Sequence, residues 1–117
     1  MAERDLKRAI LSAYGARADL FWENTPVIRA WSMDGKRFLR AGTPGQADLR
    51  CLWKRECWRG QIMLPTTYGQ AVAIETKFGR AGQSKAQKQW QGAWEARGGV
   101  YILARSVDDV AAVLGPA

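Results

Sequence analysis

The sequence predicts an α/β fold, a single domain over residues 1–117 with a central mixed β-sheet flanked by helices. Two short, nearly continuous apolar runs, 71–75 and 100–104, have the pattern of buried strands. Amphipathic helical spacing lies before the first run, between the two runs and after the second. A length of 117 residues with 47% hydrophobic and 25% charged residues is typical of one globular domain.

The first half of the chain begins with a helix and continues with short strands. Apolar residues recur at helical spacing from Leu6 to Tyr14, and Gly15 follows as a stop signal. Strand patterns with intervening turn residues lie at 19–22, 27–31 and 37–40. Asp34-Gly35 is a hairpin turn signal, and a tight Gly-rich loop at 42–45 follows.

Residues 50–70 support two interpretations. Arginines and lysines alternate here with Trp53 and Trp58. Because flat aromatic rings beside cations can stack on bases, Trp53, Arg55 and Trp58 are candidate nucleic-acid contacts. The alternative is an irregular hairpin whose tryptophans cover the core.

The second half alternates strand and helix. After the run 71–75, helical spacing extends from Ala86 to Arg97, and Gly98-Gly99 terminate it. The run 100–104 is the next strand, and a capping box beginning at Ser106 opens a last helix. The predicted order is one helix, several strands, a second helix, a strand and a last helix.

Composition excludes several classes of chemistry. The chain has no histidine, which removes Ser-His-Asp and Cys-His catalysis and His-ligated zinc. Its two cysteines, Cys51 and Cys57, cannot complete a zinc site, and we expect them to be reduced. Any metal must therefore be held by carboxylates and carbonyls, which favours Mg²⁺ or Mn²⁺.

The charge balance favours a polyanionic partner. There are 18 Lys and Arg against 11 Asp and Glu, a net charge of +7 with a pI near 9.9. No apolar run approaches the roughly 18 residues of a membrane span, and the N-terminus lacks a signal-peptide pattern. We expect an intracellular, cytoplasmic protein.

Asp48, Glu75 and Lys77 are the candidate catalytic and metal-binding residues. Glu75 and Lys77 project from one face of a strand that ends an apolar run. Asp48 follows a Gly-rich turn, and it can converge with Glu75 on one Mg²⁺ if the two strands are neighbours. Lys77 would then serve the attacking water or the transition state. The alternatives are a surface ion pair for Glu75 and Lys77 and a turn-capping role for Asp48.

These motifs resemble a known superfamily. Gly45-x-Ala-Asp48 followed by Ile74-Glu75-x-Lys77 resembles the PD-(D/E)xK signature of restriction-endonuclease-like nucleases. Further motifs resemble the VRR-NUC family, the virus-type replication-repair nucleases: Gly79-Arg80, Ser84-x-x-Gln87-x-x-Trp90, Gly98-Gly99-Val100-Tyr101 and Ala104-Arg105-Ser106-Val107-Asp108-Asp109-Val110. Two departures are Ala47, where the family has proline, and a long stretch between Asp48 and Glu75.

The resemblance implies a restriction-endonuclease-like core with the element order α-β-β-β-α-β-α. It also implies a metal-dependent DNA endonuclease with Mg²⁺ or Mn²⁺ held by Asp48, Glu75 and the Thr76 carbonyl. Lys77 would orient or help deprotonate the attacking water, or neutralise negative charge in the transition state. Gln87 would lie on the active-site side of the helix that follows the core motif. The family has an acidic residue on its first helix, and Glu3 matches it. We expect Glu3 on the side of the helix that faces inward, and Glu23 is the second candidate for this position. Small members are often virus-encoded and homodimeric, so the resemblance implies a homodimer acting on branched DNA in a bacterial or phage-infected cell.

Several residues keep a second interpretation. Gln87 can simply cap its helix together with Ser84. Arg80, Lys85 and Lys88 are placed to contact phosphates, or they form a solvated basic face. For the whole protein, the alternatives are a nucleic-acid-binding module without catalysis and an accessory subunit of a replication or recombination complex.

Overall fold

The computed structural model describes residues 2–23, 29–31, 38–40, 44–59 and 64–117. Among them are three helices: α1 (Glu3–Tyr14), α2 (Lys85–Ala96) and α3 (Val107–Leu114). They also include six strands: β1 (Leu20–Glu23), β2 (Arg29–Trp31), β3 (Phe38–Arg40), β4 (Leu49–Arg59), β5 (Leu64–Thr76) and β6 (Val100–Ala104). The Asp34-Gly35 turn predicted from the sequence lies outside the described residues.

The main sheet has four strands in the order β1-β4-β5-β6. Both β1 and β5 pair antiparallel with β4, whereas β6 pairs parallel with β5. This single parallel pair requires a crossover connection, and α2 provides it. Together with the helices, the four strands of the main sheet follow along the chain in the order α-β-β-β-α-β-α. The pair β2–β3 is a separate two-stranded sheet.

The core lies between one face of the sheet and the helices α1 and α3. Alternation along β5 sends Val72 and Ile74 to this face, while Ala73 and Glu75 face α2. Each fully buried large apolar side chain contributes about 1.5–3 kcal/mol. The core cluster is built mainly by Leu6, Ile10, Tyr14, Leu20, Cys51, Val72, Ile74, Ile102, Val110 and Leu114.

Among residues 50–70, the described parts, 50–59 and 64–70, form a regular ladder instead of an irregular hairpin. The pairing of β4 with β5 runs without interruption from Leu49–Ile74 to Arg59–Leu64. Pro65 is tolerated in β5 because it lies where the ladder has only two strands, so a proline there costs no second hydrogen bond. The outer half of this ladder therefore extends beyond β1 and β6.

Arg17 and Asp19 link the end of α1 to α3 and β4. The Arg17 guanidinium donates two hydrogen bonds of 2.7 Å to the Asp19 carboxylate, and a third of 2.7 Å to the Leu114 carbonyl. Trp53 Nε1 also donates to Asp19 Oδ2, at 3.1 Å. The hydrogen bond from Arg17 is the main reason why the pKa of Asp19 is lowered to about 2.

Asp19→Asn is expected to lower the free energy of unfolding by about 1 kcal/mol at pH 7, allowing for partial solvent screening. The lowered pKa means that the ionised carboxylate stabilises the fold above its unfolded pKa. This contribution is lost as the pH falls toward 2, so the two proteins should converge there. Urea titrations from pH 7 to pH 2 measure the difference, with the exposed Glu95→Gln as a control. A constant difference across this range would contradict the ionic origin.

Candidate metal and phosphodiester site

Asp48 lies at the start of β4, beside the end of β5. Because Leu49 pairs with Ile74, the residue before Leu49 is brought opposite Glu75. Asp48 Oδ2 accepts hydrogen bonds from Thr76 N at 2.9 Å and from Thr76 Oγ1 at 2.8 Å. Asp48 Oδ2 is thereby fixed to the end of β5, whereas Oδ1 takes no part in these two hydrogen bonds.

Gly45 allows the loop before Asp48 to pack closely against α2. Its φ of +77° is in the left-handed region that favours glycine. A Cβ at this position would also overlap the Ala86 carbonyl of α2. The Gly-rich turn predicted from the sequence therefore holds Asp48 beside the first turn of α2, where Gln87 lies.

Glu75 is a buried carboxylate with one oxygen unsatisfied. Its side chain is 3% exposed, and Oε1 accepts a 2.8 Å hydrogen bond from Gln87 Nε2. Oε2 is buried and has no hydrogen-bond partner among the described residues. Burial, followed by the negative charge of Asp48, raises the pKa of Glu75 to about 7. Buried polar atoms are normally satisfied, so Oε2 is an acceptor available to a cation.

Lys77 and Gln87 flank Glu75. Lys77 Nζ lies 3.9 Å from Glu75 Oε1, and the Lys77 side chain is 11% exposed. Gln87 caps α2 and also contacts Glu75. Its backbone N–H donates to Ser84 Oγ, and its own Oε1 accepts from Ser84 N at 2.8 Å, so the capping box is complete. Its Nε2 remains free to hold Glu75.

The two candidate first-helix acids lie in different places. Glu3, at the start of α1, is exposed instead of turned inward, because it precedes the first turn that packs on the sheet. Its charge nevertheless contributes to the raised pKa of Glu75. Glu23, at the end of β1, pairs with Arg50 at 3.4 Å. Glu3 is therefore the acid whose charge acts on the site.

Lys7 is a site residue that the sequence analysis missed. Its Nζ lies 3.9 Å from Asp48 Oδ1. Lys7 is one turn after Glu3, on the same side of α1. The sequence does contain a signal for Lys7, because it lies four residues after Glu3 on the helix that precedes Asp48 and Glu75.

The other predicted DNA contacts are distributed over several surfaces. Arg80 lies in the turn after β5, and Lys85 and Lys88 lie on α2, all three exposed. Trp53 packs partly against the core and bonds to Asp19, while Arg55 lies over its ring at 4.3 Å. The side chain of Trp58 lies outside the described residues.

The two thiols are free, as expected. Cys51 is buried in the core, and burial raises its pKa to about 11. Cys57 lies six positions further along the same strand, about 20 Å away, a distance that no disulfide spans. Neither thiol approaches the carboxylates closely enough to be a ligand with them, since Cys51 faces the opposite side of the sheet.

The donor set fits a hard cation that keeps part of its water shell. Asp48 Oδ1 and the unsatisfied Glu75 Oε2 are anionic oxygens from neighbouring strands. In the part of the chain that the structure describes, no group of three or more Cys, Asp or Glu residues is arranged to hold a metal. Mg²⁺ commonly takes only one or two carboxylates, with water and substrate oxygens completing its octahedron. Two carboxylates are therefore compatible with Mg²⁺ or Mn²⁺.

Comparisons with protein-family models, curated proteins and solved structures find no match to this chain. No helix among the described residues is long and apolar enough to cross a membrane. The geometry of Asp48, Glu75, Lys77 and Gln87 is therefore the basis for inferring a function.

Proposed function

We propose that the protein is a metal-dependent DNA nuclease of the restriction-endonuclease-like, PD-(D/E)xK type. Asp48, Glu75 and Lys77 form its centre. The observation that carries the proposal is the meeting of two carboxylates at the adjoining ends of β4 and β5, one of them buried with an unsatisfied oxygen. An isolated buried carboxylate destabilises a fold, so its retention beside a second acid and a lysine favours a chemical role.

Asp48, Glu75 and the Thr76 carbonyl would hold Mg²⁺ or Mn²⁺. When bound, the ion would polarise a phosphoryl oxygen and lower the pKa of a coordinated water. Gln87 restrains Glu75 through its 2.8 Å hydrogen bond, and Thr76 restrains Asp48 through two. These contacts preorganise both carboxylates before substrate arrives.

Lys77 supplies a cation where negative charge develops during phosphodiester hydrolysis. Its ammonium is mostly shielded from solvent, and low local dielectric strengthens its action on a nearby phosphate. Lys7 places a second ammonium group beside Asp48. The net charge of +7 favours encounter with DNA from a distance.

A nucleic-acid-binding module without catalysis is the second candidate. It is supported by the exposed basic residues Arg80, Lys85 and Lys88 together with the net charge. This candidate predicts binding that weakens steeply with salt and that ignores both divalent metal and Asp48.

Asp48→Ala is expected to reduce metal-dependent cleavage by at least about 10²-fold. The test uses labelled single-stranded, duplex, flap and four-way-junction DNA with Mg²⁺, Mn²⁺ or EDTA. Asp48→Asn is the matched variant, because it keeps an acceptor for Thr76 while removing the charge. Cleavage by Asp48→Ala equal to wild type would contradict the proposal, and binding without cleavage in every lane would favour the second candidate.

A further inference from the structure

A groove of about 470 Å³ lies between α2 and the sheet, on the face that carries Glu75. Arg50 and Ala71 line it from the sheet, and Trp90, Ala93, Trp94 and Arg97 line it from α2. Its volume is within the range of about 300–1,000 Å³ that small-molecule sites occupy. None of the roles proposed above uses this groove.

The aromatic wall of the groove is rigid. Trp90 and Trp94 stack with their ring centroids 4.9 Å apart and their planes 17° from parallel. Trp94 Nε1 donates a 2.9 Å hydrogen bond to the Val100 carbonyl. A Cβ at Gly99 would overlap the Trp94 ring, so glycine there makes room for it. Each indole covers one face of the other, so the pair offers a base only an outer ring face, which is preorganised for stacking.

Two arginines line the groove. Arg97 lies at the C-terminal end of α2, and Arg50 lies on β4. Arg50 Nη2 pairs with Glu23 at 3.4 Å, but Arg50 Nε is buried and has no hydrogen-bond partner among the described residues. Flat aromatic surface, cations and an unsatisfied donor together match a planar ligand that carries acceptors and negative charge. A nucleotide has this chemistry.

The groove begins next to the carboxylates. Arg50 follows Asp48 by two residues on the same face of β4, which is about 7 Å along the strand. Trp90 follows Gln87 by three residues on α2, which is one turn, or about 5 Å. A DNA strand with a phosphate at Asp48 and Glu75 therefore has an adjacent nucleotide within reach of the groove.

We propose that this groove binds an unpaired nucleobase next to the phosphodiester that is cut, stacking it on the Trp90 and Trp94 wall. The inference rests on the proposed function, and it names the substrate class. A base can enter the groove only if it is outside a duplex stack, so the preferred DNA carries an unpaired nucleotide at the cut. Flaps, single strands and junctions with open bases meet this condition, whereas an intact duplex must first unstack a base.

The test fills the groove without touching the tryptophans. Ala93→Leu adds bulk at a position that lines the groove, and Ala96→Leu makes the same change at an exposed position of α2 outside its lining. Binding to single-stranded oligonucleotides is measured in EDTA, with one abasic position moved along the strand. We expect one position, next to the bond that is cut in Mg²⁺, at which the abasic site weakens wild-type binding by about 5- to 150-fold. Ala93→Leu should bind intact DNA more weakly and lose this response, while Ala96→Leu should keep it.

Three results would overturn the inference. The first is a wild-type protein that cuts DNA through Asp48 but whose affinity does not depend on where the abasic site lies. This result would contradict base binding in the groove and would be consistent with the proposed nuclease. The second is the absence of affinity for any oligonucleotide at low salt, which would contradict both the base-binding groove and the proposed DNA nuclease. A melting temperature of DNA-free Ala93→Leu several degrees below that of Ala96→Leu would mean that the chain itself fills the groove.

Discussion

Glu75→Gln is expected to stabilise the metal-free protein by about 2–3 kcal/mol at pH 8. The wild-type fold must bury an ionised carboxylate with one unsatisfied oxygen, and the amide has the same size without the charge. Urea unfolding in EDTA measures the gain, with Glu56→Gln at an exposed position of β4 as the control. The same variant should lose cleavage, because the amide is a poor ligand for a hard cation.

The stabilisation by Glu75→Gln should depend on pH with a defined sign. Burial raises the pKa of Glu75 to about 7 from an ordinary value of 4.5. Below the pKa of the unfolded chain, the Glu75 carboxyl is protonated in both the folded and the unfolded state. Its ionisation then does not lower the free energy of unfolding. As the pH rises through the folded pKa, the cost becomes complete, so wild-type stability falls over this window. The gain should therefore be largest at pH 8 and absent near pH 4, and an equal gain at both would contradict burial of charge as its cause.

Lys77→Met is expected to slow cleavage by about 10²- to 10³-fold while metal binding persists. The variant removes the shielded ammonium 3.9 Å from Glu75 but leaves both carboxylates. Mn²⁺ should raise the melting temperature of the variant at least as much as that of wild type, because the ammonium no longer competes for Glu75. Single-turnover cleavage and melting with and without Mn²⁺ measure the two effects separately.

Arg8→Met is the matched control for Lys77→Met, since it removes the same charge from an exposed position of α1. Its cleavage rate should stay within a few-fold of wild type. If Lys77→Met also cleaves within a few-fold of wild type, Lys77 is only an ion-pair partner of Glu75.

Local signals predicted the second half of the chain well. The capping boxes at Ser84 and Ser106 are present in the structure, and α2, β6 and α3 begin where these signals indicate. In the apolar run 71–75, residues 72–75 are buried in β5, together with the following Thr76. These elements could be predicted because their signals lie within a few neighbouring residues.

Features that depend on pairing across the chain were harder to predict. The full β4–β5 ladder was missed because its outer residues are polar and contain Pro65 and Gly69. Lys7 was missed because its position beside Asp48 depends on how α1 packs against the sheet. The meeting of Asp48 with Glu75 was predicted, but the hydrogen bonds from Thr76 follow only from the antiparallel register.

The groove beside α2 also has no sequence signature. Trp90 and Trp94 are spaced as an amphipathic helix requires, and this spacing is typical of core residues. They line a groove because α2 packs on β6, while Arg50 lies on β4, two strands away in the sheet. Sheet order determines this arrangement, and it is a property of the whole fold.

Cleavage of one labelled flap DNA by wild type and by Glu75→Gln, in Mn²⁺ and in EDTA, tests the central claim most directly. Because Glu75→Gln should be the more stable protein, its inactivity cannot be attributed to unfolding. We predict cleavage by wild type in Mn²⁺ only, and none by Glu75→Gln in either condition. Equal cleavage by both proteins, or cleavage that persists in EDTA, would contradict a metal-dependent centre at Asp48 and Glu75.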